Sequence, residues 1–153
     1  MTRKTQNTTK RARRWTGRVL RLGSYGDPTA APFEAWEQLL ATVAGWTGYT
    51  HQWAYCDSRW AGYLMASTHT AQGNDRAHGR GYSTFRTVGS ALEILADERP
   101  CLAQTRGLTC DKCKACRGCS AANRAVVAHG SPPVLAKYRR AVAALQEAES
   151  DAA

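Results

Sequence analysis

No apolar run in this chain approaches the roughly 20 residues a helix needs to cross a membrane, and its first residues lack the apolar core of a secretory signal. The expectation is a protein without a membrane span, working in the cytoplasm. The chain also has no P-loop, no nucleophile elbow and no paired-histidine zinc motif. The turn Gly23-Ser24-Tyr25-Gly26-Asp27-Pro28 has too few glycines in the right places for a dinucleotide fingerprint. An independent hydrolase is therefore not expected. At 153 residues the chain is too short for a complete eight-stranded α/β barrel, which takes roughly 250. It contains no internal repeat.

Acidic residues are missing from one end. Residues 1–21 carry eight basic side chains (Arg3, Lys4, Lys10, Arg11, Arg13, Arg14, Arg18 and Arg21) and no Asp or Glu, whereas the other 132 residues carry thirteen basic and twelve acidic. Residues 1–17 read as a polar, aperiodic arm, disordered alone. A one-sided cationic segment of this kind seeks phosphate by counterion release. Arg3, Lys4, Lys10, Arg11, Arg13, Arg14 and Arg18 are its candidate nucleic-acid contacts.

What the chain has in excess is cysteine, crowded into one basic stretch, CLAQTRGLTCDKCKACRGC. Cys110, Cys113, Cys116 and Cys119 stand three apart, with Cys101 upstream. Without an export signal, such thiols read as ligands rather than as a disulfide framework. Consecutive C-x2-C steps let a chain turn around one centre, so that several thiolates meet a metal. Five cysteines are candidates: Cys101, Cys110, Cys113, Cys116 and Cys119. Cys101, Cys110, Cys113 and Cys116 are the preferred set, with Cys119 as a substitute. The spacing favours a 4Fe–4S cluster over zinc, because zinc sites usually take two separated pairs. Arg106, Lys112, Lys114 and Arg117 outnumber Asp111 there, and neighbouring cations favour thiolate. Cys56, far off in sequence, reads as a buried free thiol.

Along the rest of the chain, GRVLRLGS predicts a strand. Pro32 opens a helix with Phe33, Trp36, Leu40 and Val43 on one face, ending near Gly45. GYTHQW predicts a second strand. Asp57 or Ser58 caps a helix bearing Trp60, Leu64 and Met65. THTAQGNDRAHGRG predicts a loop and YSTFRTV a third strand. Ser90 to Glu93 forms a capping box for a helix stopped by Pro100. ANRAVVAHG predicts a fourth strand, and Ser131-Pro132-Pro133 opens a closing helix with Val134, Leu135, Tyr138, Val142 and Leu145 as its stripe.

The expected fold is thus α/β: a small parallel sheet of about four strands with flanking helices, partly barrel-like, plus a cysteine-rich metal-binding loop. Its units are a basic arm (1–17), an α/β domain (18–100), the cysteine loop (101–120), and a final strand and helix (121–153) belonging to the α/β domain. Polar residues at the carboxy-terminal strand ends define a candidate pocket of Ser24, Tyr25, Asp27, Thr50, His51, Gln52, Thr87 and His129. His69 and His78 are assigned no role.

LRLGSYGDP, WTGYTHQW and the terminal C…C-x2-C-x2-C with V-A-H-G together resemble a group of uncharacterised proteins encoded by phages and plasmids. These in turn look like the carboxy-terminal half of divergent radical-SAM-type α/β barrels. The resemblance runs from about Arg18 to Gly130 and falls on Arg21, Gly26, Asp27, Tyr49, Thr50, His51, Cys101, Cys110, Cys113, Cys116 and His129, and it adds Arg21 to the candidate pocket. Here Pro100-Cys101 reverses the group's Cys-Pro order, and no C-x3-C-x2-C loop precedes Cys56. The expected function is that of a metal-centre protein of a mobile genetic element, its four-cysteine site structural and its arm on nucleic acid or a nucleoprotein. It would work in the cytoplasm of an infected or plasmid-bearing cell. The rival readings are a redox or radical-SAM-derived enzyme subunit and a phage-encoded inhibitor of a host protein complex.

Overall fold

Strand propensity and helix caps divide residues 14–151, which the computed structural model describes, into six short strands and five helices. The strands are β1 (Val19–Leu22), β2 (Gly45–Thr50), β3 (Met65–Thr68), β4 (Thr84–Val88), β5 (Arg99–Pro100) and β6 (Arg124–Val127). All pair in parallel, in the order β1-β2-β3-β4-β6-β5. The helices are α1 (Phe33–Leu40), α2 (Ala71–Gly79), α3 (Leu102–Arg106), α4 (Cys110–Cys113) and α5 (Pro132–Asp151). The sheet is curled into a half-barrel. Tyr49 on β2 and Phe85 on β4 show how far: β3 lies between them, which in a flat sheet would hold them about 9–10 Å apart. Yet their rings stack with centroids 4.8 Å apart.

Alternation along the strands sorts residues between the two faces. Leu22, Ala66 and Val88 lie on the outer face, and Leu22 and Ala66 join Phe33, Leu40, Trp60, Leu64, Ala77 and Tyr82 in the main core. Phe33 meets Trp60 and Tyr63 edge-on, with centroids 5.1 and 5.2 Å away, a favoured geometry for aromatic pairs. Close packing here requires glycine at position 48. A Cβ there would stand 2.8 Å from both Leu22 Cβ and Leu64 Cδ2. Gly48→Ala is expected to destabilise by about 1–3 kcal/mol, read as a fall in Tm of roughly 2–4 °C for each kcal/mol. An unchanged Tm would show that β1 and β2 can separate at no cost.

Five of the expected features come out differently. The sheet has six strands rather than about four, because Met65–Thr68 forms β3 and Arg99–Pro100 a short edge strand. The segment read as a polar loop contains α2, whose buried face is Gly73, Asn74 and Ala77. That helix is held by hydrogen bonds where an apolar stripe would ordinarily do the work. Thr70 Oγ1 caps it by accepting from Gly73 N, and Thr68 Oγ1 donates to Asn74 Oδ1 at 2.6 Å. The helices expected after Asp57 and Ser90 are only 3-10 turns, Ser58–Gly62 and Ala91–Glu93. After Ser90, Glu93 turns back to Gly89 N and Ser90 Oγ, but the Ser90 side chain makes no cap of its own. Gly45 does not end α1; it starts β2, three residues earlier than the expected strand.

The cysteine segment is a succession of short helical turns rather than an open loop: α3, α4 and a 3-10 turn at Gly118–Ser120. It leaves the edge strand β5, and α4 packs against β1 and β2 at the other edge of the sheet. Cys101 N donates to Ala125 O on β6 and Gly48 N donates to Cys116 O. The segment therefore spans the open side of the half-barrel. No helix among the described residues is long and apolar enough to cross a membrane.

Candidate metal centre and cavity

The inner face of the curled sheet and the cysteine segment enclose a cavity of about 740 Å³. Cys101, Cys110, Cys113 and Cys116 all line it, and Cys119 does not. Each arrives from a different place: Cys101 directly after β5, Cys110 and Cys113 from the two ends of α4, and Cys116 from the stretch pinned to Gly48. Lys114 makes the turn out of α4 in a left-handed conformation, φ 51°. Cys119 is exposed, and its carbonyl accepts from Ser83 Oγ. Cys56 is half-buried, 3.4 Å from the Tyr82 hydroxyl.

Burial pushes the Cys116 thiol up to about 12, with Cys101, Cys113 and Cys110 adding to the shift and Arg124 opposing it. A thiol so placed stays protonated at neutral pH unless a cation compensates it. The four thiols surround the cavity without meeting at one point: among the described residues no three His, Cys, Asp or Glu side chains form a set that could hold a metal ion. As donors they suit a thiophilic centre, zinc or iron–sulfur. The charge of the surroundings suits it too. Arg21 and Lys114 line the cavity, and no Asp or Glu does. Arg21 donates to the Tyr49 hydroxyl at 3.2 Å and lies within electrostatic reach of Cys110 and Cys116.

Of the pocket residues expected from the sequence, Arg21, His51 and His129 line the cavity, as does Thr87. Ser24, Tyr25, Asp27 and Thr50 do not. Tyr25 is fully exposed, and Ser24 Oγ donates to Arg21 O. Asp27 is occupied with structure: it accepts from Thr29 N, Thr29 Oγ1, Thr50 Oγ1 and His51 N. Burial raises its pKa, but these hydrogen bonds more than offset that and leave the carboxyl below its ordinary value. It caps the Pro28–Ala30 turn and ties the end of β1 to the end of β2. Thr50 is wholly buried.

Several residues outside the expected pocket complete the site, and of these the resemblance marks only Tyr49. Tyr49 and Phe85 form a stacked floor, and Ser67 Oγ lies 3.1 Å from His51 Nε2. Tyr138 of α5 covers the cavity while its hydroxyl donates to Thr87 O. His69, 6.3 Å from the His51 ring, is held below the usual histidine range by burial and then by His51. Its Nδ1 is buried without a hydrogen-bond partner. The inward parity of Tyr49, Ser67 and Phe85 would have marked them, had the register of β3 been legible.

Of the expected nucleic-acid contacts, Arg14 and Arg18 are exposed, while Arg3, Lys4, Lys10, Arg11 and Arg13 lie outside the described residues. No protein-family model matches the chain, and no curated protein or solved structure does.

Proposed function

We propose that this is a metal-centre protein in which Cys101, Cys110, Cys113 and Cys116 hold one thiolate-ligated centre, a 4Fe–4S cluster or zinc, across the open side of the half-barrel. One observation carries the reading: four thiols, two of them from α4, line a single cavity that contains cations and no carboxylate. A four-thiolate centre of either kind is a net anion, and Arg21 and Lys114 are placed to offset it. The centre's role in this reading is structural. Binding would draw the cysteine turns together and join the β5 side of the sheet to the β1 side, so that binding energy becomes folding energy. The basic arm then serves nucleic acid or a nucleoprotein.

The test is anaerobic purification with an absorbance spectrum and metal analysis on one sample. A broad brown band near roughly 400 nm with matching iron and sulfide identifies the cluster. A colourless protein with about one zinc identifies the alternative. Neither metal in stoichiometric amount overturns the reading.

A second reading, a redox enzyme subunit, rests on the cavity continuing past the thiols to the hydrogen-bonded His51–Ser67 pair and His129. A small substrate there would sit beside the centre. It requires a centre that dithionite reduces, and a redox-silent zinc site eliminates it.

A further inference from the structure

Two cations of the cysteine segment, Lys114 and Arg117, reach the amino-terminal ends of β1 and β2, where the arm joins the sheet. Lys114 does so from the rim of the cavity that it also lines, whereas Arg117 lies outside it. The turn leading into β1 is fixed by Arg18 N donating to Trp15 O, Gly17 N to Thr42 O and Ala44 N to Arg18 O. Val19 is paired with Gly45 and Leu20 with Trp46. A Cβ built on Gly45 would stand 4.0 Å from Lys114 Cδ, so the lysine stem lies along that strand end. The Arg117 guanidinium sits 5.5 Å from the centre of the Trp46 ring, and Arg14 sits 5.7 Å from that of Trp15. Arg14, Arg18, Lys114 and Arg117 are exposed, and Trp15 keeps 36% of its surface. No Asp or Glu occurs among residues 14–26 or 112–123.

We infer that Arg14, Trp15, Arg18, Lys114 and Arg117 form one binding surface for single-stranded nucleic acid, opposite the edge where His51 and His129 meet the cavity. Two segments almost a hundred residues apart in sequence thus supply one phosphate track. The inference extends the nucleic-acid part of the proposed function and adds to it that the cysteine segment is itself part of the interface. The partner chemistry follows from the composition of the edge. Four exposed cations gathered at one edge favour a polyanion, and an exposed indole beside a guanidinium offers a stacking platform that a splayed base can use and a closed duplex cannot.

The experiment titrates the full chain with fluorescein-labelled oligothymidine from about 50 to 200 mM salt and takes the slope of log K against log salt. Lys114→Gln with Arg117→Gln should reduce the slope by about 1.4, since each phosphate contact on a single strand contributes about 0.7. Arg106→Gln, which removes a single positive charge on α3, should leave it unaltered. Trp15→Ala should weaken binding roughly tenfold. Circular dichroism and metal content of each variant establish that the fold and the centre are intact. An unchanged slope in the double variant, or an equal drop with Arg106→Gln, overturns the surface. Equal binding of the matching duplex, insensitive to Trp15, overturns the single-strand assignment. A protein that holds no metal yet shows the expected slope change leaves the surface standing and removes the metal centre alone.

Discussion

Under the proposed four-thiolate centre, replacing Cys116 by serine should abolish metal binding and bring the Tm down to that of wild-type protein treated with a chelator. Cys116 is the decisive position because burial and neighbouring thiols oppose its ionisation more than any other influence around it. The metal would have to supply the compensation, so the thiolate at 116 and the metal depend on each other. Serine keeps the size and the polarity but offers no thiolate. The carbonyl of residue 116 still accepts from Gly48 N, so the backbone anchor survives the substitution. Structural zinc sites carry apparent binding energies of about 10–16 kcal/mol, and losing one of four ligands forfeits a large part of such a sum. Cys119→Ser is the matched control: Cys119 is exposed and outside the cavity, so metal and Tm should both be retained. Full occupancy in Cys116→Ser, or loss in Cys119→Ser, would reject the ligand set.

Glu98→Gln should cost about 3–5 kcal/mol, the usual penalty for removing one partner of a buried ion pair. Both Glu98 and Arg86 are almost completely buried. Arg86 Nε and a terminal guanidinium nitrogen donate to the two carboxylate oxygens, each at 2.7 Å. Asn74 Nδ2 and Leu95 N supply the remaining bonds, at 2.9 and 3.0 Å. The amide would leave the guanidinium charge uncompensated between α2, β4 and the turn before β5. Replacing Arg86 with Met in the same chain should recover part of the loss, because the uncompensated charge disappears with it.

The pH dependence of this site has a definite sign. Burial raises the Glu98 pKa, but the bonds from Arg86, Leu95 and Asn74 outweigh it and leave the group below its ordinary value. A carboxyl depressed in the folded state contributes stability above its unfolded pKa and loses it as pH falls through the folded one. Wild-type protein should therefore weaken below about pH 4.5, the ordinary carboxyl value, and Glu98→Gln should show less of that acid dependence. Denaturant titrations of both chains across the acid range measure it. Parallel acid curves would mean that other carboxylates dominate.

Where local residues determine local structure, the sequence could be read directly. Thr84–Val88 and Arg124–Val127 carry β-branched residues, Val19–Leu22 alternates apolar and polar from Leu20 up to the Gly23 turn, and Pro132 at the start of α5 is a strong opening signal. The parallel pairing, though not the strand order, followed from strands alternating with helices. Elements fixed by tertiary hydrogen bonds were not legible. Asn74 looks like a loop residue until Thr68 and Glu98 are known to be its partners. Met65–Thr68 carries too few β-branched residues to stand out, and its burial on both faces comes from neighbours remote in sequence.

The candidate site divides along the same line. Four cysteines at C-x2-C spacing announce themselves, and three of them line the cavity with Cys101. The spacing alone cannot say that Cys119 turns away, because that depends on Ser83 holding its carbonyl. Asp27 was ambiguous for a related reason: a carboxylate after a glycine turn serves a ligand or a cap equally well, and its four local hydrogen bonds decide for the cap.

The strand order also dictates a schedule of assembly. β6 lies between β4 and β5, although β5 precedes it in the chain. As the protein leaves the ribosome, β1 to β4 can zip together in order, each onto the last. β5 then emerges with no neighbour to pair with, and the whole cysteine segment must follow before β6 can slot in and give both β4 and β5 a partner. A nascent chain ending before residue 124 therefore carries an open β4 edge and a set of unclosed thiols at the same moment. A metal loaded during that interval would meet ligands whose scaffold is half-built, so under the proposed function the order of loading and strand insertion follows from the topology.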